Sequence, residues 1–107
     1  MPYRLTPQAQ REREAALAYQ AAECGAATAG DLSLAFVDMF ELIAGWSPPG
    51  STREQWADPK YRWVRIGKYP YFAVWASGAS SADRVIVRIL YASRDLGALM
   101  AATEDWS

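Results

Sequence analysis

The chain has 107 residues, a net charge of −1, and is 51% hydrophobic, 13% aromatic and 21% charged. That is enough for one domain, residues 1–107, burying roughly two thirds of its unfolded surface, and too rich in apolar side chains for a disordered chain. It has no histidine and one cysteine, Cys24, which excludes histidine-based acid–base catalysis, Ser-His-Asp triads, His-containing zinc sites and an intrachain disulfide.

Tyr3-Arg4-Leu5 reads as a short strand ending at Thr6-Pro7, with Thr6 as N-cap and Pro7 at the first helical position, where no amide donor is needed. From Pro7 to about Cys24 the chain is rich in Ala, Gln, Glu and Arg, all strong helix formers, and Gly25 is a natural stop. Leu32, Phe36, Met39, Phe40 and Ile43 then recur with helical period. Thr28 with Asp31 gives this second helix a weak capping signal, and Gly45 followed by Pro48-Pro49 closes it. Joined through residues 25–28, the two helices are expected to form an antiparallel hairpin.

Residues 46–59 are a loop by their Pro and Gly content, with Trp46 and Trp56 expected to pin it to the body. From Tyr61 the period changes to two: Arg62, Val64 and Ile66 alternate with Tyr61, Trp63 and Arg65. A turn at Gly67-Lys68 leads into the aromatic run Tyr69 to Ser77, and a second turn at residues 78–82 into Arg84 to Tyr91. Strict alternation in that last strand puts Val85, Val87, Ile89 and Tyr91 on one face and Arg84, Ile86, Arg88 and Leu90 on the other. Asp95 is placed to cap a short final helix through Leu96, Leu99 and Met100. The order strand, helix, helix, three strands and a short helix gives a two-layer α+β domain, with the helical hairpin on one face of a small antiparallel sheet.

The charge is unevenly spread. Residues 53–95 hold Arg53, Lys60, Arg62, Arg65, Lys68, Arg84, Arg88 and Arg94 against Glu54, Asp58, Asp83 and Asp95, a balance suited to an anionic partner or to a solvated sheet. Asp58, Asp83, Glu104 and Asp105 lie at turns or at the terminus and read as solvated carboxylates. Neither a phosphate-binding glycine loop nor a thiolate cluster is present, and no metal or other cofactor is expected. The opening Met1-Pro2-Tyr3-Arg4 has no apolar signal region, no stretch approaches the roughly 18–20 apolar residues of a membrane span, and a cytoplasmic setting is expected.

Five fragments in order carry a resemblance: Tyr3-Arg4-Leu5-Thr6-Pro7-Gln8-Ala9, Tyr19 late in the first helix, Phe40-Glu41-Leu42-Ile43 before Pro48-Pro49-Gly50, the run Arg62 to Phe72, and Arg88-Ile89-Leu90-Tyr91-Ala92-Ser93-Arg94-Asp95-Leu96. Together they resemble the RelE/ParE superfamily of type II toxin–antitoxin toxins, and its ParE branch most. The resemblance implies a toxin silenced by a cognate antitoxin, with DNA gyrase as target and Arg62, Arg65, Arg88 and Arg94 as target-binding residues. It also implies that Trp63, Tyr71 and Trp75 offer an apolar surface to a wrapping antitoxin segment. The RelE branch implies instead a ribosome-dependent mRNA endoribonuclease, its site built from Lys60, Arg62, Arg65, Arg88, Tyr91 and Arg94 neutralising charge on the phosphate. Against that branch, Ser93 and residues 96–100 stand where further basic groups are usual, and Tyr91 reads better as a core tyrosine with a satisfied hydroxyl. A non-toxic interaction domain of the same fold is the third reading.

Overall fold

A computed structural model describes residues 3–93 and 95–106, so Arg94 lies outside the described residues. The elements are β1 (Tyr3–Leu5), α1 (Pro7–Cys24), α2 (Ala26–Ala44), β2 (Arg62–Arg65), β3 (Tyr71–Ser77), β4 (Arg84–Tyr91) and α3 (Leu96–Ala101). The sheet order is β1-β4-β3-β2. β2–β3 and β3–β4 are antiparallel, but β1 runs parallel to β4, so the sheet is mixed where a wholly antiparallel one was expected. The reason is connectivity: the α1–α2 hairpin separates β1 from the other strands, and β4 enters beside it in the same direction. Among the described residues no helix is long and apolar enough to cross a membrane.

Thr6 sets the start of α1 and its position on the sheet. Its backbone is extended, its Oγ1 accepts a hydrogen bond from the Ala9 amide at 3.0 Å, and Pro7 occupies the first turn. The same hydroxyl donates to the Val87 carbonyl at 2.8 Å, and the Thr6 amide donates to the Ile86 carbonyl at 3.0 Å. The helix cap is thereby fastened to the central strand. α2 starts at Ala26, two residues before the capping signal read from Thr28: a single residue, Gly25 at φ +93°, turns the chain, and the Thr28 hydroxyl donates back to the Cys24 carbonyl.

β4 carries a bulge. Val74 pairs with Arg88 and Trp75 with Ile86, which leaves Val87 without a partner on β3. The extra residue breaks the expected alternation. Ile86 and Ile89 both face the helices, with Leu32, Phe36, Phe40, Ile43, Ile66 and Ala73, whereas Val85 and Val87 pack with Ala76 on the other side. That second face is covered by Leu96 and Met100 of α3, packed on Trp63, Val74 and Leu90. Trp56 joins them, its ring 5.3 Å from that of Trp63, so it pins the loop as expected; Trp46 is fully exposed and does not.

Thr6→Val is expected to lower stability by about 1–3 kcal/mol, since it removes the cap and leaves the buried Val87 carbonyl without its donor. Thr6→Ser should retain most of it. Urea denaturation of the three proteins checks this, and equal midpoints for Val and Thr would remove Thr6 from the account.

Candidate functional site

Arg88 reaches its position because the bulge turns it to the α3 side of β4, beside the point where β1 has ended. It is 3% exposed. Its Nε and Nη2 donate to Glu12 Oε1 and Oε2 at 2.9 and 2.7 Å, a bidentate pair, and Nη1 donates to the Leu99 carbonyl and to Thr103 Oγ1. Glu12 Oε1 also accepts from the Ile89 amide at 3.1 Å. Arg88 therefore has its guanidinium inside the protein and does not stand on a target-binding surface.

Among the described residues, the remaining basic candidates do not converge. β2 is an edge strand, and Arg62 and Arg65 lie on opposite faces of it, Arg62 opposite Trp75 and Arg65 opposite Phe72. Arg65 Nε donates to the Tyr69 carbonyl at 2.8 Å, and the Lys60 ammonium sits 5.2 and 5.7 Å from the ring centres of Tyr61 and Trp106. Arg84, which also lies in the basic half, donates to the Ile43 carbonyl near the end of α2 and lies over the Trp75 ring.

Trp63, Tyr71 and Trp75 are all buried, at 2%, 6% and 7% exposure. Alternation sends Trp63 under α3 and the other two toward the helices, with Trp75 Nε1 bound to the Pro49 carbonyl at 2.8 Å. An open patch of the three does not form. Tyr71 does line an open cleft of about 500 Å³, together with Glu12, Ala15, Ala16, Tyr19, Ile89 and Tyr91. The cleft exists because α1 presents two alanines where longer side chains would reach the strands. Tyr91 stands on the helix side, as alternation required, yet is 54% exposed rather than core; its ring meets that of Tyr71 edge-on at 5.5 Å.

No protein-family model matches the chain, and no curated protein matches it in sequence. A solved chain described as the chromosomal ParDE TA system from P. aeruginosa is similar in structure, with a TM-score of 0.71 and 17% identity over 87% of this chain and 97% of that one. This chain shares the α+β fold of that chain. At that identity the likeness lies in the course of the backbone rather than in shared side chains.

Sequence reading missed Glu12 entirely. A glutamate among helix formers carries no signal of its own, and its role arises only where β4 outruns β1. Burial raises the Tyr71 phenol above the ordinary tyrosine value, and Tyr91 and Tyr19 add to the shift. The folded state thus holds this proton more tightly than the unfolded chain does. Its stability is complete below the ordinary tyrosine range, about pH 10, and declines as pH rises through it. Tyr71→Phe should remove a high-pH step from the tyrosinate absorbance titration and flatten the alkaline loss of stability; an unchanged titration would refute the assignment.

Arg88→Met leaves the Glu12 carboxylate without its partner and should cost about 3 kcal/mol, whereas Glu12→Gln with Arg88→Met should cost less than the two single changes added together. Denaturant midpoints of the four proteins measure both. Additivity within error would mean that the two residues act separately.

Proposed function

We propose that this chain is the toxin of a toxin–antitoxin pair and that it acts by binding DNA gyrase rather than by cutting RNA. The ParDE likeness supports membership of such a pair. The resemblance of the run from Arg88 to Leu96 to ParE-type toxins supports the toxin side. The choice against RNA cleavage is carried by the internal engagement of Arg88 by Glu12, Leu99 and Thr103. A nuclease of this fold needs several cations converging on one phosphate. Among the described residues, Lys60, Arg62 and Arg65 are divided between two faces and a strand edge, and Arg88 is occupied.

The exposed Tyr91 favours the second reading, since a strand-end phenol in an open cleft is accessible as a proton donor. Ribosome-dependent cleavage through Tyr91 would be lost in Tyr91→Phe with folding intact.

Purified gyrase and relaxed plasmid, with and without the folded chain, test the main reading. Loss of supercoiling accompanied by linear plasmid is the expected result. No effect at large molar excess would overturn it, and translation arrest on expression would then favour mRNA cleavage. Normal growth on expression without a companion protein would point instead to an interaction domain without toxicity.

A further inference from the structure

The outer half of the helical hairpin carries charge of one sign. Between Arg13 and Arg53 the sequence has no lysine or arginine, while Glu14, Glu23, Asp31, Asp38 and Glu41 fall in that span. α2 buries Leu32, Phe36, Phe40 and Ile43 against the sheet. Its opposite face, in helical phase about Asp38, carries Asp31, Leu34, Glu41 and Leu42, and Trp46 follows just beyond the C-terminus. Leu34 is 64% exposed, Leu42 57% and Trp46 101%. Leu34 and Leu42, about two turns apart with Asp38 between them, and Trp46 beyond the helix end leave three large apolar side chains exposed along this strip. Leu34 and Leu42 are about 12 Å apart along the axis by helical rise. Asp31, Asp38 and Glu41 are in no ion pair among the described residues.

Charge decides among the occupants. Carboxylates along the strip repel nucleic-acid phosphates and anionic lipid headgroups alike. A second copy related by a two-fold axis would bring the acids against their own duplicates, since such an interface pairs a patch with itself. What remains is a cationic polypeptide with an apolar stripe. We propose that the outer face of α2 is a docking surface for a basic amphipathic helix of another protein, whose aliphatic stripe packs on Leu34, Leu42 and Trp46 while flanking Lys or Arg pair with Asp31, Asp38 and Glu41. The apolar strip supplies the affinity, and the acids select the partner and its orientation. This inference rests on the surface of α2 and does not depend on the toxin reading.

The test titrates the full chain with a synthetic helical peptide bearing leucines at i, i+4 and i+8 flanked by arginines, against a control with glutamate at every arginine. Tryptophan emission reports docking. The arginine peptide should bind with a blue shift that Trp46→Phe largely abolishes, and binding should weaken as salt rises from about 0.05 to 0.5 M. Leu34→Ser with Leu42→Ser, and separately Asp38→Lys with Glu41→Lys, should each weaken it about tenfold or more while thermal midpoints stay near the parent value. Failure of the arginine peptide to bind, equal binding by the glutamate control, or affinities unchanged in either double variant would overturn the proposal. So would self-association in sedimentation that the same variants abolish.

Discussion

The Glu12 carboxylate stands in for a missing length of β-strand. β1 ends where Leu5 meets Ile86, but β4 continues to Tyr91, so its outer edge would otherwise carry an unpaired amide at Ile89 beside a desolvated guanidinium. One carboxylate answers both needs, accepting from Ile89 and, bidentately, from Arg88. Since Arg88 also holds the Leu99 carbonyl and Thr103, the pair links α1, β4 and α3 across the sheet. Such a partly buried pair adds less net stability than its hydrogen bonds suggest, because the guanidinium and part of the carboxylate must be desolvated. Its larger effect is geometric, since it adds a polar tie to the six-residue α3 that Leu96 and Met100 already pack on Trp63, Val74 and Leu90.

The bulge at Val87 makes that linkage reachable. Without the extra residue the side chains of β4 would keep a single alternation, and Ile86 and Ile89 could not both enter the helix-side core. Thr6 occupies the carbonyl of Val87 itself, so helix cap and bulge support one another. The result is two apolar layers on a four-stranded sheet, one aliphatic and aromatic beneath α1 and α2, the other built on Trp63 beneath α3 and Trp56.

These packing choices shape the functional surface more than composition does. They withdraw Arg88, Trp63 and Trp75 from solvent, put Arg62 and Arg65 on opposite faces of the β2 edge, and leave Tyr19, Tyr71 and Tyr91 around a cleft. They also leave Asp31, Asp38 and Glu41 on the outer face of α2, while Arg84 and Arg88 of β4 bond directly to the hairpin at the Ile43 carbonyl and at Glu12.

Where local chemistry decides conformation, the sequence alone was sufficient. Thr6-Pro7 marked the start of α1, Gly25 and Gly45 the ends of the helices, the spacing from Leu32 to Ile43 the buried face of α2, and Arg84 to Tyr91 the central strand to its last residue. Pattern could not show the parallel pairing of β1, because strand direction depends on where the chain returns. Nor could it show the bulge, because one inserted residue leaves no compositional trace yet exchanges the faces of those on either side. Glu12 and Arg88 are 76 positions apart, and each reads as a solvated charge on its own helix or strand. Only the folded chain, in which β4 outruns its neighbour and the Arg88 guanidinium is withdrawn from water, turns those two charges into a pair.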